Sequence, residues 1–208
     1  MAFPALLEEA SERGAVIMAA GLGVGVMCFL ICTSIILYYW YVVTVSIPTD
    51  KDVLRQRYFT VNNLQYSEQE EAAIAALPFH CSVCETNVGP HTKHCAACNR
   101  CISNFDHHCK FLNNCIGDTN YQGFRKLINV FLAWLIIDAC FILTMAALGL
   151  LLTENSRVHS TTQFILTVQG VSAIGVGIAT AKLISLHVWM EKRGITTYDY
   201  VNFEKELV

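Results

Sequence analysis

Three long apolar stretches, separated by polar ones, organise the chain. Residues 14–49 carry no charge. A bilayer core takes about 20 helical residues, so this stretch is long for one span and short for two with a turn. It predicts one membrane helix over residues 16–39. Tyr38, Tyr39, Trp40 and Tyr41 then form an interfacial aromatic belt, and the helix continues out of the lipid, making 16–47 in all. Gly21, Gly23 and Gly25 suit either close helix packing or a lipid-facing surface. Residues 127–152, apolar except for Asn129 and Asp138, predict a second span. Residues 164–190, whose chief polar members are Lys182 and His187, predict a third, with 153–163 as the loop between them. Residues 48–78 read as a polar linker. Within it Ser67-Glu68-Gln69-Glu70 is an N-cap with a capping-box partner, opening a short helix that Pro78 closes. Residues 79–126 show no long hydrophobic period, so their order is expected from metal. Residues 1–15 form a short acidic segment without the basic start of a secretory signal, and 191–208 form a tail.

Charge and composition refine this picture. Hydrophobic residues make up 54% of the 208 positions and charged residues 15%, the balance of a membrane protein. The net charge of -3 argues against nucleic acid as a partner. Lys51, Arg55, Arg57, Lys110, Arg125, Lys126, Lys192 and Arg193 all fall on one side of a three-span arrangement, which the positive-inside rule makes cytosolic. The first residues are then lumenal or extracellular. A charge inside a span is costly and usually paired. Asp138 and Lys182 lie at similar depth, about 12–17 Å from the cytosolic side, and are expected either to pair or to face a polar groove and the headgroups separately.

Seven of the ten cysteines crowd between Cys81 and Cys115. Close Cys-x2-Cys pairs with histidines among them favour zinc over disulfides, and zinc thiolates again point to a reducing, cytosolic side. The spacing is one unit written twice. Cys81-x2-Cys84-x9-His94-x6-Cys101 is followed fourteen residues later by Cys95-x2-Cys98-x9-His108-x6-Cys115. The two copies supply six cysteines and two histidines, the ligands of two Cys3His zinc sites and no more. His80 and His91 fall outside them and are assigned to packing or surface, as is His159; His187 is assigned to the interface. Cys28, Cys32 and Cys140 lie in apolar runs as small hydrophobes, with palmitoylation of Cys28 or Cys32 as an alternative.

One thiol of the region, Cys109, belongs to neither copy. It sits in Asp106-His107-His108-Cys109, where His107 can take its proton and Asp106 can orient that histidine. Lys110 adds positive charge that favours the thiolate.

The run from Cys81 to Phe124, with Asp106-His107-His108-Cys109 at its centre and Asn120 and Phe124 beyond it, resembles the DHHC-type cysteine-rich-domain protein S-acyltransferases, the palmitoyltransferases. Gly194-Ile195-Thr196-Thr197-Tyr198-Asp199 is similar to that family's TTxE element, with Asp199 in place of Glu. Ile47-Pro48-Thr49-Asp50-Lys51-Asp52 stands where the family has a Pro/Asp-rich motif. The resemblance implies an α-helical multi-pass membrane protein with a small cytosolic zinc-stabilised cysteine-rich domain between the first and second spans seen here. It implies palmitoyl-CoA or a related fatty acyl-CoA as substrate, an acyl-enzyme on Cys109, and transfer to cysteines of membrane-associated proteins. His107 would be the base and acid, and Asp106 its orienter. Lys93, Lys110 and Arg125 are candidates for the CoA phosphates and Phe111 for stacking or acyl contact. ER or Golgi membrane is the expected location. The sequence departs from the family in three ways: Lys110-Phe111 stands where Pro-Trp commonly follows the active cysteine, three spans are legible where four are usual, and the C-terminal amphipathic segment is abbreviated, with Tyr200, Asn202 and Phe203 as its remnant. A non-catalytic membrane adaptor that retains the zinc scaffold is the alternative reading.

Overall fold

The computed structural model describes residues 2–152 and 157–206. Among the described residues, three helices are long and apolar enough to cross a membrane: α1 (Ala2–Val45), α4 (Tyr121–Leu152) and α5 (Arg157–Glu191). Three shorter helices, α2 (Lys51–Val61), α3 (Glu68–Ala75) and α6 (Thr197–Glu206), accompany six short strands. The three spans stand where the hydropathy pattern puts them, but their helices run further. α1 begins at Ala2 rather than at residue 16, α4 at Tyr121 rather than at 127, and α5 at Arg157 rather than at 164. The helical backbone does not stop where lipid stops, because a turn of polar residues closes its own hydrogen bonds. Of the loop expected over 153–163, residues 157–163 are helical and 153–156 lie outside the described residues.

The chain forms two compact units, one of Asn129–Ala181 with the chain up to Leu37, the other of Tyr38–Ile128 with the chain from Lys182. In the first, Leu135, Ala139 and Ala173 are buried together with Phe131 and Trp134 against them, and Phe29 meets Trp134 at 5.8 Å between ring centroids. Gly25 lies against the Phe141 ring, where a Cβ would collide, while Gly21 and Gly23 face open space. The glycine cluster thus divides into one packing position and two open ones. Val24, Leu30, Val171 and Ile178 are exposed, as expected of side chains facing lipid. Asp138 lies beside Gln169 within this unit.

The second unit is built around three separate two-stranded antiparallel hairpins: β1 (Phe79–Cys81) with β2 (Thr86–Val88), β3 (Lys93–Cys95) with β4 (Arg100–Ile102), and β5 (His107–Cys109) with β6 (Asn114–Ile116). Two buried polar side chains bind α2 to them. Asp50 caps α2 through the amides of Asp52 and Val53, and its other oxygen accepts from the hydroxyls of Thr92 and Ser103. Its own amide donates to the Cys101 carbonyl at 2.9 Å. Gln56 pairs like a strand edge, donating to the Asn87 carbonyl at 2.7 Å and accepting from the Asn87 amide at 3.0 Å. The linker is therefore more structured than its polarity suggested, and α2 was missed because its apolar face is small. The capping box of α3 is present as expected, with Ser67 and Glu70 bonding each other's backbone. Gly117 lies against the Ser103 carbonyl, where a Cβ would sit 2.8 Å from that oxygen.

Asp50→Ala removes a cap and leaves buried hydroxyls without an acceptor. We predict a loss of at least about 2 kcal/mol in thermal or denaturant unfolding of the cysteine-rich unit, against about 1 kcal/mol for Ser67→Ala at the exposed α3 cap. Equal effects from the two variants would show that Asp50 acts only as a cap.

Candidate metal centres and active site

The hairpins repeat every fourteen residues, and the repeat is threefold. The first strand of each ends with a histidine and a cysteine: His80-Cys81, His94-Cys95 and His108-Cys109. Each turn is closed by a residue in the left-handed region, Glu85, Asn99 and Asn113, at φ of 53°, 48° and 47°. In the first two turns Cys81 and Cys84, and Cys95 and Cys98, form a two-thiol knuckle. In the third, Leu112 stands where the second thiol would be. Across the strands His94 faces Cys101 and His108 faces Cys115, whereas His80 faces Asn87.

This pattern fixes the ligand sets. The knuckle of one hairpin meets the His–Cys pair of the next. Cys81, Cys84, His94 and Cys101 bring their ligand atoms within 4.8 Å of one another, and so do Cys95, Cys98, His108 and Cys115. These are the two interleaved sets that the spacing predicts. In the first, Cys84 Sγ lies 3.4 Å from His94 Nδ1 and 3.5 Å from Cys101 Sγ. In the second, Cys98 Sγ lies 3.4 Å from His108 Nδ1 and 3.3 Å from Cys115 Sγ. Tetrahedral zinc, with bonds of about 2.3 Å to sulfur and about 2.0 Å to nitrogen, places such atoms roughly 3.5–3.8 Å apart, so both sets fit that cation. Burial and the neighbouring thiols push Cys101 and Cys115 far above the ordinary thiol range, so such a crowd ionises only around a positive charge. The Arg100 guanidinium beside Cys98 tempers the negative charge of the second set. The two unused ends of the series behave differently. His80 hydrogen-bonds Asn87 at 3.0 Å instead of serving as a ligand. Cys109 is a knuckle thiol with no second thiol and no further hairpin.

Cys109 is buried at the end of β5. His107, on the same strand, lies beside it and places Nδ1 2.7 Å from Asp106 Oδ2. Asp106 is buried and held from the other side by Thr197, whose amide and hydroxyl donate to its two oxygens at 2.8 Å each. Burial raises the Asp106 carboxyl, but His107 and these Thr197 bonds outweigh it and hold it below the usual range. Burial pulls His107 down, yet Asp106 and Cys109 push it up to about 9. Burial raises the Cys109 thiol, while His107 and the backbone amides of Leu112 and Phe111 bring it below its ordinary value. Both shifts act in favour of a thiolate beside an imidazolium.

Thr197 is the site residue that sequence reasoning assigned no role. Its placement follows from Thr196, which caps α6 and forms a capping box with Asp199. The Thr196 amide and hydroxyl donate to Asp199 Oδ2 at 3.0 and 2.8 Å, and the Asp199 amide returns a bond at 3.1 Å. Asp199 does here what a glutamate does at the same position of a capping box. His187 is a second surprise. Assigned to the interface, it is instead buried beside the site, with its ring 6.2 Å from that of His107 and its Nδ1 3.3 Å from the Tyr121 hydroxyl. Phe124 packs edge-on against both imidazoles, at 5.4 and 5.3 Å. A cleft of about 390 Å³, lined in part by Asp106, Asp118, Tyr121 and Glu191, opens beside this cluster.

The four residues suggested for acyl-CoA stand in different surroundings. Lys110 and Phe111 are exposed in the third turn, Phe111 at 89%. Lys93 lies between the Phe79 and Tyr198 rings, and Arg125 is ion-paired with Glu191.

Removing one ligand from either set should undo the hairpins it joins, since structural zinc carries roughly 10 kcal/mol of folding free energy. We predict that Cys84→Ala or His94→Ala lowers bound zinc and exposes residues 79–126 to protease. Unchanged protease resistance would show that the hairpins stand without metal.

Residues 76–204, more than half of the chain, match the family model described as DHHC palmitoyltransferase. No curated protein matches the chain. The matched region begins just before the first hairpin and ends within α6, so it includes both ligand sets, Cys109 with its partners, and Thr197. The chain belongs to the DHHC palmitoyltransferase family.

Proposed function

We propose that the protein is an active S-acyltransferase that carries a fatty acyl group from acyl-CoA to cysteines of membrane-associated proteins through Cys109. One observation supports this most directly. Cys109 stands outside both ligand sets and beside His107, which continues through Asp106 to Thr197.

The thiolate attacks the thioester carbonyl. The bond from that carbon to the CoA sulfur breaks, and the departing sulfur takes the proton held on His107. The acyl group now sits on Cys109. In the second half, a substrate thiol gives its proton to His107 and attacks the acyl-Cys109 carbonyl, and Cys109 leaves as a thiolate. Asp106 stabilises the imidazolium at both turnover points and, held by Thr197, fixes the ring so that Nδ1 faces the carboxylate and the other nitrogen serves the sulfurs. The two Cys3His sets would hold zinc as scaffold, which supplies order and no step of the transfer.

The basic residues near the span ends favour a cytosolic face for Cys109, where acyl-CoA and reduced thiols are found. ER or Golgi membrane follows at the family level. A tail lying in lipid-like surroundings gains about 0.8 kcal/mol for each methylene withdrawn from water. Lys110 and Phe111, exposed two positions or fewer from the nucleophile, are the residues best placed to meet the CoA and the start of the acyl chain. Lys93 and Arg125 already hold other partners.

Purified protein incubated with labelled palmitoyl-CoA is expected to take up one hydroxylamine-sensitive label, lost in Cys109→Ser. An unlabelled wild type with its zinc intact would support the adaptor reading instead.

The pH profile is a second test. Acylation needs the thiolate, so it should fall as pH drops through the depressed Cys109 value. In Asp106→Asn the imidazolium loses its carboxylate, and His107 falls from about 9. Less positive charge then faces the sulfur, so the acid limb should move to higher pH, with a rate loss of roughly 100-fold or more near neutrality. An unmoved acid limb would remove the triad from the mechanism.

A further inference from the structure

Asn114 lies directly across β5–β6 from Cys109. It is 4% exposed and uses both ends of its amide. Its Oδ1 accepts from the Cys115 amide at 2.9 Å. Its Nδ2 turns away from the hairpin to the end of α1, where it donates to the carbonyls of Ser46 at 2.6 Å and Val43 at 3.0 Å and lies 3.4 Å from that of Thr44. The last carbonyls of a helix have no partner within the helix. At the end of α1, Ser46 satisfies Val42 with its amide and hydroxyl, and the carbonyls of Val43, Thr44 and Ser46 are met by a side chain 71, 70 and 68 positions away in sequence. Val43 is fully buried at this junction.

We propose that Asn114 is a positioning residue that fixes the Cys109 thiol at one height relative to the end of the first span. The hairpin alone cannot do this. Three-residue strands and a metal set define its shape, not its place against a membrane helix. A thiol that attacks an acyl-CoA must meet the thioester carbonyl at the level where the apolar tail and polar head divide. The amide is the link between that level, marked by the end of α1 after the aromatic residues 38–41, and the strand opposite the nucleophile. The kinetic part of this inference rests on the acyl transfer proposed above; the positional part does not.

Asn114→Asp is the informative variant. It keeps the shape and the acceptor for Cys115, so the second ligand set is left intact, but it loses both donors to α1. Two measurements are made on the full chain in phosphatidylcholine vesicles. The first follows labelled palmitoyl-CoA on Cys109, with zinc content and iodoacetamide alkylation of Cys109 as controls. The maximal acylation rate is expected to fall at least about tenfold, with little change in the acyl-CoA concentration for half-saturation, because a displaced nucleophile loses alignment rather than binding. Zinc content and alkylation should stay at wild-type levels. The second places a nitroxide on Cys109 in a Cys28→Ser, Cys32→Ser, Cys140→Ser background and compares its mobility and its relative accessibility to oxygen and to a water-soluble nickel complex. Asn114→Asp should raise mobility and shift the accessibility ratio. An unchanged ratio and mobility would overturn the proposal, as would parallel loss of zinc and alkylation, which marks a merely structural role. If the wild type is not acylated, the transferase reading fails, and the nitroxide comparison still decides the tie.

Discussion

Three-residue strands cannot hold a fold by themselves. Each hairpin here has six paired residues and belongs to a sheet of its own. Isolated two-stranded hairpins are marginal in water even when longer. What joins them is a rule of contact between neighbours: the two-thiol turn of one hairpin closes on the His–Cys pair of the next. The cores around these sets are small, with Val53, Val88 and Cys101 in one and Cys95, Ile102 and Cys115 in the other, and the ligands themselves make up much of them. The meeting of these two four-residue sets, which could each hold a metal ion, is the constraint on which the rest of the unit depends.

The same rule accounts for where the unmatched thiol sits. A chain of hairpins joined this way has two unmatched ends. At the first, the His–Cys pair has no preceding turn to meet, and the pair is His80 with Asn87, satisfied by an ordinary hydrogen bond. At the last, the turn has no following pair, and one of its thiols is Leu112. The remaining thiol keeps the turn's amides nearby, those of Leu112 and Phe111, which act to draw it down as those of Cys84 and Val83 do at the corresponding positions beside Cys81. A geometry suited to a metal-bound thiolate is thus reused around a free one, with His107 supplying the positive charge that a cation would supply elsewhere.

Partners from distant parts of the chain complete that environment. Thr197 comes from the start of α6, ninety-one positions after Asp106, and is aimed by the Thr196–Asp199 capping box. Phe124 comes from the first turns of α4 and His187 from the last turns of α5, and both lie against the His107 ring. Phe124 and His187 crowd the half-buried imidazole, while Asp106 and Cys109 favour its protonated form. The hydrogen bonds and the burial pull in opposite directions, and the hydrogen bonds win at all three residues of the Cys–His–Asp chain.

Much of this was legible in the residues alone. The three spans follow from apolar length, which is a local property. The two ligand sets follow from spacing, because thiol and imidazole groups repeated at a fixed interval allow few closed tetrahedral sets, and the spare Cys109 follows by subtraction. The α3 capping box was readable for the same local reason. The third copy of the repeat was not read, since Leu112 and Asn87 are not ligands and only backbone register reveals their equivalence to Cys84, Cys98, Cys101 and Cys115. α2 escaped because its stability comes from Asp50 and Gln56 reaching other segments rather than from its own periodicity. Thr197, His187 and Asn114 could be placed only by tertiary structure. Each acts through a hydrogen bond or ring contact with a residue at least sixty positions away, and no local pattern encodes which distant group a threonine, a histidine or an asparagine will meet.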